Sequence, residues 1–170
     1  MKKIIVIGTL HAGITPNQEL KQIFIEYKPT QILVEINQGD INNNNINKYP
    51  PEMIFTYKWA LNNKIKIAGF DSKIDVFKKD VTENDNINLI EKQKKIINNY
   101  SWKDFNKTEK NKLLDIDYIT DPVKEKKREK ELINNINKAI DNDGTILIIT
   151  GCGHLDFFEK NITKAIFPFR

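Results

Sequence analysis

KKIIVIGTLHAG, Lys2 to Gly13, is the stretch on which the fold class turns. Its run from Lys2 to Ile7, KKIIVI, is read as one continuous run closed by Gly8, which predicts a strand buried on both faces. Such a strand needs helices above and below it, and the chain supplies them. Thr15, Pro16, Asn17 and Gln18 read as a capping box with proline at the first helical position, and Leu20, Ile23, Phe24 and Tyr27 fall on one helical stripe. Pro29 stops that helix, and Gln31–Ile36, QILVEI, forms a second strand.

The alternation continues. After the polar NQGDINNNNIN segment, Pro50 and Pro51 open a helix with Ile54, Tyr57 and Leu61 at helical spacing, and Lys64–Phe70, KIKIAGF, is a third strand. Asp121 and Pro122 cap a long helix carrying Leu132, Ile133, Ile136, Ala139 and Ile140, which Asn142, Asp143 and Gly144 stop. Thr145–Thr150, TILIIT, is the fourth strand and runs into GCGH. Strands alternating with helices predict an α/β fold, a mostly parallel sheet with flanking helices joined by right-handed crossovers. Residues 1–170 read as a single domain, with a helical insert at about 73–120 in which Ile87–Ile97 and Trp102–Leu114 are the helical stretches.

Composition limits the function classes. At 170 residues the chain has the length of one domain. No apolar run reaches the roughly 18 to 20 residues of a membrane helix, and the N-terminal run reads as a strand with no cleavage pattern. One cysteine excludes an internal disulfide and fits a reducing, cytoplasmic setting. The formal charge of +4 is lysine scattered among asparagine and isoleucine. Its densest run, KEKKREKE at Lys124–Glu131, alternates in sign as a solvated helix face does and lacks interleaved aromatics, so nucleic acid is not the expected partner. GTLHAG matches neither a dinucleotide fingerprint nor a P-loop. The acids of DIDYITD, Asp115, Asp117 and Asp121, lack the glycine and distal glutamate of a calcium loop.

In an open parallel sheet, ligands bind beyond the carboxyl ends of the strands. Every such end here carries an ionisable side chain: His11 after the first strand, Glu35 at the second, Asp71 after the third and His154 after the fourth. The chain has only two histidines, and each is the fourth residue of a GxxH leaving an apolar strand. Glycine permits a tight turn that presents an imidazole over the sheet edge, so the pair predicts one shared site. Glu35 inside ILVEI either has a partner or faces solvent on an edge strand. Asp71 either serves the site or caps a turn. Two histidines with carboxylates suit a divalent metal that activates water, with His11, Glu35, Asp71 and His154 as ligands, or metal-free acid/base catalysis with one histidine oriented by Glu35. Cys152 is either a nucleophile with His154 as base or a small residue packed in the turn.

These residues resemble the TraB, PrgY, GumN and TIKI superfamily, related to the erythromycin-esterase-like and ChaN-like proteins. The resemblance lies in IIVIGTLHAG, PTQILVEI, REKELINNI and TILIITGCGHL, and covers roughly the first 70 and last 45 residues. It marks Gly8, His11, Glu35, Arg128, Gly151 and His154, and implies a hydrolase-type site, with peptide cleavage, ester hydrolysis and haem-related or signalling roles all found among its members. Arg128 is the sole arginine before Arg170. Its planar fork suits an anion clamp or a pair with Glu35 or Asp71, while spacing alone fits an exposed helix charge.

The expectation is therefore a hydrolase in which His11, Glu35, His154 and Arg128 are catalytic, Gly8, Gly151 and Gly153 line the cofactor or ligand, and a metal would be Mn, Co, Fe or Zn. The substrate is a small molecule or peptide, with no membrane partner and a homo-oligomer left open. The rival is a non-catalytic domain that keeps the pocket for a small ligand or for signalling.

Overall fold

The four apolar runs become four strands, β1 (Lys3–Thr9), β2 (Gln31–Val34), β3 (Lys66–Gly69) and β4 (Thr145–Gly151). The computed structural model describes residues 1–11, 13–114 and 118–170, apart from the side chain of Asn86. The strands form one sheet in the order β1-β4-β2-β3, and every pair is parallel. The fold is α/β, as the alternation of elements implies. Both central strands are buried along their apolar length, from Ile146 to Ile149 and from Ile32 to Val34. Helix cover on both faces of a parallel sheet is why these runs show no polar alternation.

The helices are α1 (Asn17–Tyr27), α2 (Gln38–Asn42), α3 (Pro51–Asn62), α4 (Glu83–Ile97), α5 (Thr108–Asn111), α6 (Pro122–Ala139) and α7 (Leu155–Asn161). Phe24 of α1 packs its ring 4.7 Å from Trp59 of α3, and Phe158 of α7 lies 6.1 Å from Phe70 beyond β3. No helix among the described residues is long and apolar enough to cross a membrane.

Several boundaries differ from expectation, each for a local reason. Thr15 does not cap α1: its Oγ1 accepts from the Leu10 amide at 2.8 Å, tying down the loop that carries His11, and Pro16 takes the cap position. The apolar stripe of α3 is rotated by one residue. Met53, Thr56 and Ala60 are buried while Leu61 is half exposed, because the helix turns Glu52 inward. β2 ends at Val34, although the Glu35 amide still donates to Ile149 O of β4 at 3.1 Å, which keeps its carboxylate beside that strand. The asparagine-rich segment holds the short helix α2, capped by the Asn37 side chain accepting from the Gly39 amide.

The insert is helical but broken. α4 carries a capping box between Thr82 and Asp85, whereas Trp102–Leu114 divides into 3-10 turns at Trp102–Asn106 and Lys112–Leu114 around α5. An antiparallel bridge between Phe77 and Thr120 closes its base. The sequence reading of Asp115 and Asp117 as no calcium loop lies outside the described residues, while Asp121 caps α6 by accepting from the Val123 and Lys124 amides.

The insert and the C-terminal segment together protect an edge. β1 would otherwise offer open backbone on its outer side, a template for further pairing. The Val6 amide donates to Ile166 O at 2.9 Å, and the buried Asn106 side chain pairs with both backbone groups of Gly8 at 2.9 Å. Asn106→Ala leaves a donor and an acceptor unpaired in the interior. It should cost roughly 2 kcal/mol in urea unfolding, and a loss near zero would show that the insert does not hold β1.

Candidate active site

Beyond the carboxyl ends of the strands lie the residues that the spacing singled out, arranged around the carboxylate of Glu35. Glu35 is 6% exposed. Its Oε2 accepts from the Gly151 amide and from Thr150 Oγ1, each at 2.7 Å, and its Oε1 accepts from Arg128 Nη2 at 2.7 Å. Burial opposes the charge, but the facing His154 and Arg128 outweigh it, and the carboxyl lies well below the usual range. Glu35 is thus not an edge residue turned to solvent.

Arg128 reaches this carboxylate from α6. Its Nη2 also donates to Asp71 Oδ1 at 2.8 Å, and its Nη1 approaches His154 Nε2 at 2.9 Å. The guanidinium therefore joins the ends of β2, β3 and β4, and of the sequence alternatives for Arg128 the pair with Glu35 and Asp71 is the observed one. With its forward nitrogens committed to these acceptors, it is poorly placed to clamp a substrate anion. Asp71 is drawn upward in pKa by burial and by Glu35, against the pull of Arg128.

His154 is buried, in a 3-10 turn at Cys152–His154. Its Nε2 also lies 3.3 Å from Glu35 Oε1. Burial disfavours its charge, yet Glu35 and Glu129 push its pKa up to about 9. A guanidinium only donates, and an imidazolium has no lone pair to accept. His154 is consequently neutral while Arg128 holds Nε2, and it can charge only when that contact opens. Its Nδ1 has no hydrogen-bond partner.

His11 is the outer histidine, with 48% of its side chain exposed. Its Nδ1 lies 2.6 Å from Oε1 of Glu52, a wholly buried carboxylate on α3 whose Oε2 has no partner. Because an ionised carboxylate only accepts, this contact places the ring proton on Nδ1 and leaves Nε2 a lone pair. Nε2 sits against the backbone of Gly151, where a β-carbon would come within 2.8 Å of it and 3.7 Å of Glu35 Oε2. Both histidines flank Glu35, one on each side. Partial burial lowers the His11 pKa, but the hydrogen bond it donates to Glu52 and the charge of Glu35 raise it above its usual value.

The glycines act through space and not through turn geometry. Gly8 and Gly151 lie within β1 and β4, and neither adopts a positive φ. A β-carbon at Gly8 would meet Leu155 Cδ1 at 2.6 Å and Asn106 Oδ1 at 3.0 Å, so Gly8 faces packing and no ligand. Gly151 makes room for the His11 ring, and Gly153 is exposed in the turn before His154. Cys152 is buried, and burial pushes its thiol up to about 12, which leaves negligible thiolate near neutral pH. It packs in the turn.

Sequence reasoning missed Glu52, Glu125 and Glu129. Glu52 follows two prolines in a stretch whose apolar pattern points its neighbours inward, and nothing local marks it. Glu125 and Glu129 belong to the alternating charge run that reads as a solvated face, yet both turn to His154, with Oε1 atoms 3.6 and 3.9 Å from its Nδ1. Among the described residues, these two with His154 form the group whose donor atoms lie within 4.8 Å of one another and could hold a metal ion. The set expected from the sequence, His11, Glu35, Asp71 and His154, makes no such group, because the Arg128 guanidinium stands among Glu35, Asp71 and His154 and serves them as their cation. A metal there does not fit without displacing it.

Comparison with family models, with curated proteins and with solved structures finds no match.

Glu35→Gln removes the charge that the buried guanidinium faces. The loss should be about 3 to 5 kcal/mol in urea unfolding, and a loss under about 1 would mean that Asp71 alone satisfies Arg128.

Proposed function

We propose that the chain is a hydrolase in which His11 is the general base that activates water. The observation that carries this reading is the His11–Glu52 pair: a half-exposed imidazole tied at Nδ1 to a wholly buried carboxylate, with Nε2 turned over the sheet edge. A carboxylate behind a histidine fixes its tautomer and orientation and favours the imidazolium that forms when it takes a proton. Water bound at Nε2 gives up a proton to His11 as its oxygen bonds to an ester or amide carbonyl carbon. The imidazolium then returns that proton to the departing alcohol or amine. Glu35, Arg128, Asp71 and His154 act beneath this base as a rigid charged floor, and the resemblance to the TraB and TIKI superfamily supports the same reaction class.

The metal-dependent form of this reading draws on Mn, Co, Fe or Zn and has support only in the donors around His154, not between the two histidines. The binding-domain reading is favoured by one feature, the commitment of Arg128 to protein acceptors.

The test is hydrolysis of p-nitrophenyl butyrate and of a fluorogenic peptide library. His11→Ala should lower kcat/KM by about 100- to 10,000-fold with folding intact. The base must be unprotonated, so activity should fall as pH drops through a midpoint above the ordinary 6.5 of histidine. Glu52→Gln removes the negative charge that favours the imidazolium, while its amide oxygen can still accept from Nδ1, so the upward pull on the pKa weakens. The acid limb should move to lower pH. Turnover that is unaffected by His11→Ala would overturn the assignment, and ligand binding without turnover would establish the binding-domain reading.

A further inference from the structure

Glu125 and Glu129 are one helical turn apart on α6, and both are only partly exposed, at 24% and 19% of the side chain. Like charges at this spacing repel, and the repulsion grows as water is withdrawn. Arg128 Nη1 stands 3.8 Å from Glu125, beyond hydrogen-bond distance, while that guanidinium is held by Glu35 and Asp71. Facing the two carboxylates is Nδ1 of His154, on a side chain only 10% exposed, with no hydrogen-bond partner of its own. An orphaned ring nitrogen aimed between two carboxylates is an incomplete polyhedron. The same carboxylates border a cavity of about 510 Å³, also lined by Phe157 and Lys126, which leaves room for further ligands.

We propose that Glu125, Glu129 and Nδ1 of His154 bind a divalent transition-metal ion on the outer side of that histidine, with open coordination positions facing the cavity. One imidazole and two carboxylates suit borderline to hard ions such as Mn, Fe, Co and Zn, and the absence of thiolate disfavours soft ones. The site is independent of His11 and does not require the hydrolase reading. It also reaches the centre of the fold. An ion on Nδ1 moves the ring proton to Nε2, where Glu35 Oε1, 3.3 Å away, can accept it in the carboxylate–histidine–metal pattern. Arg128 Nη1 cannot then donate to Nε2, so ligation and the Arg128–His154 contact exclude each other. Metal binding therefore releases one arm of the guanidinium.

The test uses chelator-stripped protein titrated with Co²⁺ and followed by its visible absorption. Saturation at one ion per chain is expected. Second-shell changes already weaken metal sites by about 10- to 100-fold, so Glu125→Gln and Glu129→Gln should each weaken Co²⁺ binding by at least about tenfold. His11→Ala should leave it within about twofold, even where it abolishes hydrolysis. In wild-type protein, Zn²⁺ should shift the imidazole ¹⁵N signal of His154 Nδ1 as a ligand nitrogen, a readout that needs no variant to fold. Absence of saturable binding at millimolar Co²⁺ would overturn the proposal. So would binding indifferent to both glutamine variants, binding lost with His11, or a ligand shift at Nε2.

Discussion

A carboxylate placed beneath the edge of a parallel sheet cannot remain charged alone, and the rest of this structure answers to that constraint. Glu35 is held by an amide and a hydroxyl from β4 and by a guanidinium from α6. An isolated buried charge is far more costly than any single packing defect, so these partners must arrive together. The requirement reaches outward. Arg128 can enter only if α6 lies across the ends of β2, β3 and β4, and Asp71 and His154 must then meet the donors that Glu35 leaves over. The pairing is a condition on the geometry of three strand ends at once.

The two histidines leave their strands by the same short motif, yet their surroundings give them different chemistry. His11 is half exposed, backed by a carboxylate at Nδ1, with the other nitrogen over the backbone of Gly151. His154 is enclosed, with Nε2 against a guanidinium and Nδ1 against two carboxylates. One ring is poised to exchange a proton with a visitor. The other is a junction between charged layers, and its tautomer reports which neighbour holds it. The number of carboxylates around the sheet edge makes the region attractive to cations and unattractive to anionic ligands.

The fold was legible in the sequence because its signals are local. Unbroken apolar runs mark β1 and β4, and Asp121 with Pro122 marks the start of α6. The ionisable residues at strand ends were legible for the same reason, since topology alone sends His11, Glu35, Asp71 and His154 to one edge. What escaped was set by long-range geometry. Thr15 looks like a helix cap, but its hydroxyl is spent on Leu10. Glu52 looks like an exposed first-turn acid, but the rotation of α3 buries it behind His11. Glu125 and Glu129 have the alternating spacing of a wet surface, and only the approach of His154 gives them a common target. No propensity or periodicity encodes which nitrogen of an imidazole a distant carboxylate will face.

The strand order has a consequence for how such a protein comes into being. β1 and β2 do not touch through hydrogen bonds; β4 lies between them and pairs with both. The Glu35 bonds to Thr150 and Gly151 close loops of 115 and 116 residues. As the chain leaves the ribosome, β1, β2 and β3 exist for a time without the strand that unites them, and Glu35 emerges well before the groups that neutralise it. Closing loops of this length is entropically slow, and until it happens two strand edges stand open to strangers. The last strand is a keystone: the growing chain carries no assembled site, and its period of greatest exposure to chaperones or to self-association falls just before β4 is inserted.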